Sequence, residues 1–127
     1  MSFDVFLQAF RDGDAATADG AAAFAILEPR IADRGDAWAR IRTADGGADL
    51  YGIDDPSTSL MVNHADGDQI WEVVYDLAFA GGYAVMPVGC PTCVTNDEVR
   101  RHLPRGIAES AIVVGAGAEI QTAIESA

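Results

Sequence analysis

Hydrophobic and polar positions along the chain follow two periods, and the switching between them predicts an α+β domain. Phe3, Val5 and Leu7 alternate with Asp4, Phe6 and Gln8. This period of two predicts a strand with one face buried and the other partly covered. The polar run Arg11-Asp12-Gly13-Asp14 ends it. Between Thr17 and Glu28, Ala21, Phe24, Ala25 and Leu27 recur at helical spacing. Pro29 closes that helix, because the residue before a proline avoids αR. Two strands are expected around Gly35-Asp36, over 30–33 and 37–43. The Asp45-Gly46-Gly47 turn then leads into a strand over 48–53, and Ser59 to His64 forms another.

The clearest helix is expected over 66–80. Ile70, Val73, Val74 and Leu77 stand at i, i+3, i+4 and i+7, a single stripe, with Trp71 and Tyr75 on the adjoining face and Glu72 opposite. Trp71 is expected at the edge of the helix–sheet contact or in a subunit interface. Asp66 and Gln69 have the spacing of a capping box, and Gly81-Gly82 is a stop signal. A strand over 83–88 is expected to pass through Gly89-Cys90-Pro91-Thr92 into Cys93-Val94-Thr95. Asn96 should cap a short helix over 97–103, with acids at its start and Arg100, Arg101 and His102 at its end, as the macrodipole favours. A strand over 111–114 and a helix over 117–126, with Ile120 and Ile124 on one face, complete the chain. No linker or repeat divides it. The order predicts a single α+β domain over 1–127, with an antiparallel or mixed sheet built mainly from strands between 3 and 63 and covered by the 66–80 helix and shorter ones.

Composition supports a globular chain. Leu, Ile, Val and Phe supply 30 of the 127 residues, above the level at which disorder is expected. No apolar run approaches the ~20 residues of a membrane span. The first residues lack a basic segment and carry Asp4 and Gln8 where a secretion signal needs an apolar stretch. With two cysteines three residues apart, a disulfide framework is not expected and a reducing cytoplasm is.

The net charge is −12, from fourteen Asp, six Glu and eight Arg with no lysine. Such a field repels phosphate, so direct binding of nucleic acid is not expected. Two readings remain for the acidity: attraction of a basic protein partner, or a GC-rich genome and a salty cytoplasm. A homo-oligomer is compatible with either.

The motifs with chemical content are few. Val113-Val114-Gly115-Ala116-Gly117 begins like a dinucleotide-binding turn, but Ile120 stands at the third glycine position and the residues that should follow are missing. A tight strand-to-helix turn explains these glycines more simply. Cys90-Pro91-Thr92-Cys93 offers one correctly spaced ligand pair, with His64 and His102 left to complete a zinc site. A redox reading needs the first cysteine at a helix start, whereas the next helix begins only after Asn96. Asp12-Gly13-Asp14 resembles the opening of a calcium loop, but Ala16, Thr17 and Ala23 fail the later positions. Asp97, Glu98 and Glu72 suit solvated helix faces, Arg100, Arg101 and Arg105 suit a helix end, and Trp38 and Trp71 suit core or interface anchors. No residue is therefore assigned a catalytic, cofactor-binding or metal-ligating role.

The opening Met1-Ser2-Phe3-Asp4-Val5-Phe6-Leu7-Gln8, with Met61-Val62-Asn63, Ile70-Trp71, Gly82-Tyr83-Ala84-Val85 and His102-Leu103-Pro104, resembles a family of short uncharacterised bacterial proteins that share such a start. The resemblance spans most of the chain and implies a shared framework, not an activity. Size and acidity also resemble those of small immunity proteins. The functional expectation is thus a non-enzymatic acidic protein-binding module, immunity-like, that neutralises a basic toxin or other basic partner. The competing expectation is a metal-binding or redox protein using Cys90 and Cys93.

Overall fold

The computed structural model describes residues 4–127, so the Phe3 end of the first expected strand lies outside the described residues. The chain folds as an α+β domain. Its strands are β1 (Val5–Arg11), β2 (Asp14–Ala16), β3 (Ile31–Arg34), β4 (Trp38–Arg42), β5 (Gly47–Tyr51), β6 (Leu60–Asp66), β7 (Ala84–Pro87), β8 (Cys93–Val94) and β9 (Ile112–Val113). They form one sheet in the order β3-β4-β5-β6-β1-β7-β8-β9, with β2 paired to β1. Every pairing is antiparallel except β8 with β9, so the sheet is mixed. The helices are α1 (Gly20–Leu27), α2 (Gln69–Gly81), α3 (Asp97–Arg101), α4 (Arg105–Ala108) and α5 (Gly117–Glu125).

The alternation of each strand decides the layers. Val5, Leu7, Ala39, Ile41, Ala48, Leu50, Leu60, Val62 and Val85 point to one face and are buried beneath α1, α2 and α5. Ile70, Val73, Val74 and Leu77 of α2 are all at most 5% exposed. Burying four aliphatic side chains of this size contributes about 6 to 12 kcal/mol before entropy, so packing, not propensity, holds this helix. α2 lies between α1 and α5 and touches both. On the opposite face, Ala84 and Val94 form a smaller core with Leu103 and Ala111, joined by Phe10, Val99 and Ile107 under α3 and α4.

Several elements differ from expectation. The first strand ends at Arg11 as expected, and the same run turns the chain back into β2, a strand the pattern does not predict. Asp12 (φ 52°) and Gly13 (φ 86°) are both left-handed, and Arg11 pairs with Asp14 across them. This is a two-residue hairpin in the conformation that the right-handed twist of strands favours. Pro29 does not stop the first helix outright: the α-helix ends at Leu27, and Glu28–Arg30 continue as one 3-10 turn. The sheet comes mainly from β1 to β6, as expected, and β7, β8 and β9 extend it on the other side of β1. The short helix after Asn96 ends at Arg101, and Pro104 introduces the additional turn α4.

The start of α2 is also corrected. The helix begins at Gln69, and its preceding residue Asp68 makes no side-chain cap. Asp45, in the β4–β5 turn, accepts instead from the backbone N–H of Asp68 at 2.8 Å and of Gln69 at 3.3 Å. The Asp68 N–H and the Thr43 hydroxyl hold the Asp45 carboxyl below its ordinary range. The expected end holds: Gly82 takes the left-handed conformation. Asn96 accepts from Val99 N–H at 2.9 Å, the expected cap of α3.

Candidate functional site

Each chemically suggestive residue has a definite place. Cys93 sits in β8, fully buried and paired in register with Val85, while Cys90 is half-buried in the β7–β8 connection. Both are free thiols. Burial, and secondarily the neighbouring Cys90, pushes the Cys93 thiol up to about 11. Metal binding and thiol exchange both use the thiolate, and this environment works against forming it.

The histidines are engaged elsewhere. His64 Nδ1 lies 2.9 Å from Asp49, which also pairs with Arg40 at 3.3 Å. His102 fastens the β1–β2 hairpin tip to the end of α3: its Nδ1 accepts from Asp12 N–H at 3.1 Å, and its carbonyl accepts from Gly13 N–H at 2.9 Å. Because a backbone N–H can only donate, Nδ1 carries no proton in this arrangement, and Nε2–H faces Glu98 at 3.2 Å. The hydrogen bond from His102 and the charge of Arg101 hold the Glu98 carboxyl below its ordinary range. Among the described residues, no group of three or more His, Cys, Asp or Glu side chains is placed to hold a metal ion.

A shallow cleft of about 640 Å³ lies between the 3-10 turn, the β4–β5 turn and α2, lined by Arg30, Arg42, Thr43, Gln69, Glu72 and Asp76 among others. Three of its polar side chains are committed to the fold. Arg30 donates to Ile26 O at 2.7 Å, the Thr43 hydroxyl donates to Asp45 at 3.1 Å, and Glu72 accepts from Ala118 N–H at 3.1 Å.

The remaining feature is the part of the sheet's second face that α3 and α4 leave open. The register places Trp38 beside Tyr51, Tyr51 beside Met61, Met61 beside Phe6 and Phe6 beside Met86. Val88 follows beyond Met86, its N–H donating to Asp4 O at 3.1 Å. Trp38, Tyr51, Met61, Phe6 and Met86 form an apolar row across β4, β5, β6, β1 and β7, and Val88 stands one row over, opposite Asp4. With strands ~4.8 Å apart the row is about 19 Å long. Phe6, Tyr51 and Val88 are 42%, 38% and 58% exposed, and the other three are half-buried. The next row carries charge: Asp33, Arg40, Asp49 and Asn63 stand side by side, and Asn63 donates to Asp4 at 3.4 Å.

Trp38 therefore stands on the open face, whereas Trp71 is 7% exposed and belongs to the main core. Arg101 pairs with Glu98 at the helix end, as the macrodipole reading anticipates. Strand alternation places Phe6, Tyr51 and Met61 opposite the core, but their adjacency needs the pairing register, which no local pattern contains. No helix among the described residues is long and apolar enough to cross a membrane. No family model, no curated protein and no solved structure matches this chain.

Proposed function

We propose that this protein is a non-enzymatic binding module that recognises a basic protein, in the manner of an immunity protein neutralising its target within the cytoplasm. The observation that supports this reading is the uncompensated charge. Against a net charge of −12, the described residues contain two arginine–carboxylate pairs, Arg40 with Asp49 and Arg101 with Glu98. Many of the other acids face solvent, and their field accelerates encounter with cationic partners while repelling nucleic acid.

The test is capture and rescue. The full chain, immobilised at low ionic strength, is expected to retain a basic protein from an extract of its own cells and to release it as salt rises. If that protein is toxic when expressed alone, co-expression of this chain should restore growth. Failure to retain any specific partner at low salt removes the reading. Stoichiometric zinc or iron in the purified protein would instead support the metal reading of Cys90 and Cys93.

A further inference from the structure

We infer that the open face of the sheet, centred on the row Trp38–Tyr51–Met61–Phe6–Met86, is the surface on which that basic protein docks. The inference rests on the binding reading above and adds where the partner sits and what it must present. Three observations carry it. Of the six large hydrophobic side chains that are exposed among the described residues, Phe6 and Tyr51 stand in this row and Val88 beside it, opposite Asp4, although apolar residues scattered singly would need no explanation. The row consists of Trp, Tyr, Phe and Met, the residue types enriched at the cores of protein interfaces. Finally, the flanking row is acidic on balance, with Asp33, Asp49 and Asp4 against Arg40, and Arg40 is already held by Asp49 at 3.3 Å.

Charge decides the occupant. A second copy would bring another body of charge −12 against the same acidic flank. A polypeptide with an apolar centre ringed by Lys or Arg buries the row and pairs with Asp33 and Asp4 together. The apolar row then sets residence time, and the flank sets the rate of encounter and its salt dependence.

The experiment uses the captured protein, identified by mass spectrometry, produced recombinantly and titrated against the full chain by calorimetry. The expected result is a one-to-one complex that Tyr51→Ser weakens roughly 30-fold or more, the level of an interface hot spot. Phe79→Ser, at a side chain 65% exposed on α2 in the other layer, should leave the affinity within about threefold. Asp33→Asn should reduce the salt dependence. Met86→Ser provides a second probe of the row if Tyr51→Ser fails to fold, as judged by circular dichroism. A basic partner that binds equally well to both row variants overturns the docking surface while leaving the binding reading intact. Recovery of no partner by any version removes both. A concentration-dependent dimer in sedimentation that Tyr51→Ser dissolves assigns the face to a second copy and overturns the basic occupant.

Discussion

The carboxylate of Glu72, on α2, accepts a hydrogen bond from the backbone N–H of Ala118 at 3.1 Å, in the first turn of α5. Ala116, the residue at the helix boundary, has no side-chain oxygen to do this. A helix leaves its first N–H groups unpaired, so Glu72 supplies from a neighbouring helix what a local Ser or Asp would otherwise give. Glu72 is therefore not the neutral surface position that its place opposite the buried stripe suggests.

Glu72→Ala should consequently destabilise the fold by about 0.5 to 2 kcal/mol, with Glu72→Gln, which keeps an acceptor, costing less. Leu77→Ala should cost more, about 2 to 5 kcal/mol, because it opens a cavity among residues with no room to close it. Urea denaturation of the three variants orders them. A Leu77→Ala midpoint at or above that of Glu72→Ala would contradict the assignment of the buried face.

Gly117 begins α5 where that helix crosses α2. A β-carbon there would lie 2.4 Å from the carbonyl carbon and oxygen of Trp71 and from the nitrogen of Glu72, backbone atoms that cannot turn aside. Gly117→Ala should destabilise by about 1 to 3 kcal/mol, the usual penalty for forcing atoms into a packed contact. Gly106→Ala is the control. Its β-carbon would meet nothing within 4 Å, so helix propensity should make it neutral or slightly stabilising. Thermal melts of the two variants should move in opposite directions or differ by several degrees.

Tyr83 is fully buried, and its hydroxyl donates to Pro56 O at 2.5 Å. Burial, followed by the charges of Asp19 and Asp55, pushes its ionisation up to about 12. The folded state thus holds this proton more tightly than the unfolded chain, whose tyrosines ionise near 10. The resulting stabilisation is fully present below about pH 10 and is lost as pH rises towards 12. Denaturation midpoints measured between pH 8 and 12 should fall more steeply for the parent than for Tyr83→Phe. Parallel curves would show that Tyr83 is not the group responsible.

The two thiols should separate kinetically. Cys90 is half-buried and Cys93 fully buried, with the Cys93 thiol pushed up to about 11. A thiol reagent at neutral pH should modify one cysteine per chain readily and the second only slowly, both becoming reactive in denaturant. Equal rapid reaction of both in the folded protein would contradict the burial of Cys93.

The sequence alone determined those features that a few consecutive residues specify. The spacing of Ile70, Val73, Val74 and Leu77 identified α2 and its buried face, because a 3.6-residue period leaves few other ways to hide four aliphatic side chains. Asn96 identified the start of α3, since its side chain reaches a backbone N–H three residues away. The alternation in β1, β4 and β6 identified strands and hence the α+β class. Even the β1–β2 hairpin was encoded in Asp12-Gly13, although the calcium-loop spacing of the same residues obscured it. Tertiary structure alone decided what depends on residues remote in sequence. Asp45 caps α2 from 23 positions away and Glu72 caps α5 from 46, geometries that no window along the chain contains. Gly117 is required by the backbone of α2, not by its own turn. The row on the open face exists because five strands align in one register while α1, α2 and α5 cover the opposite side: alternation tells each side chain which face to take, and only the pairing of strands decides its neighbours.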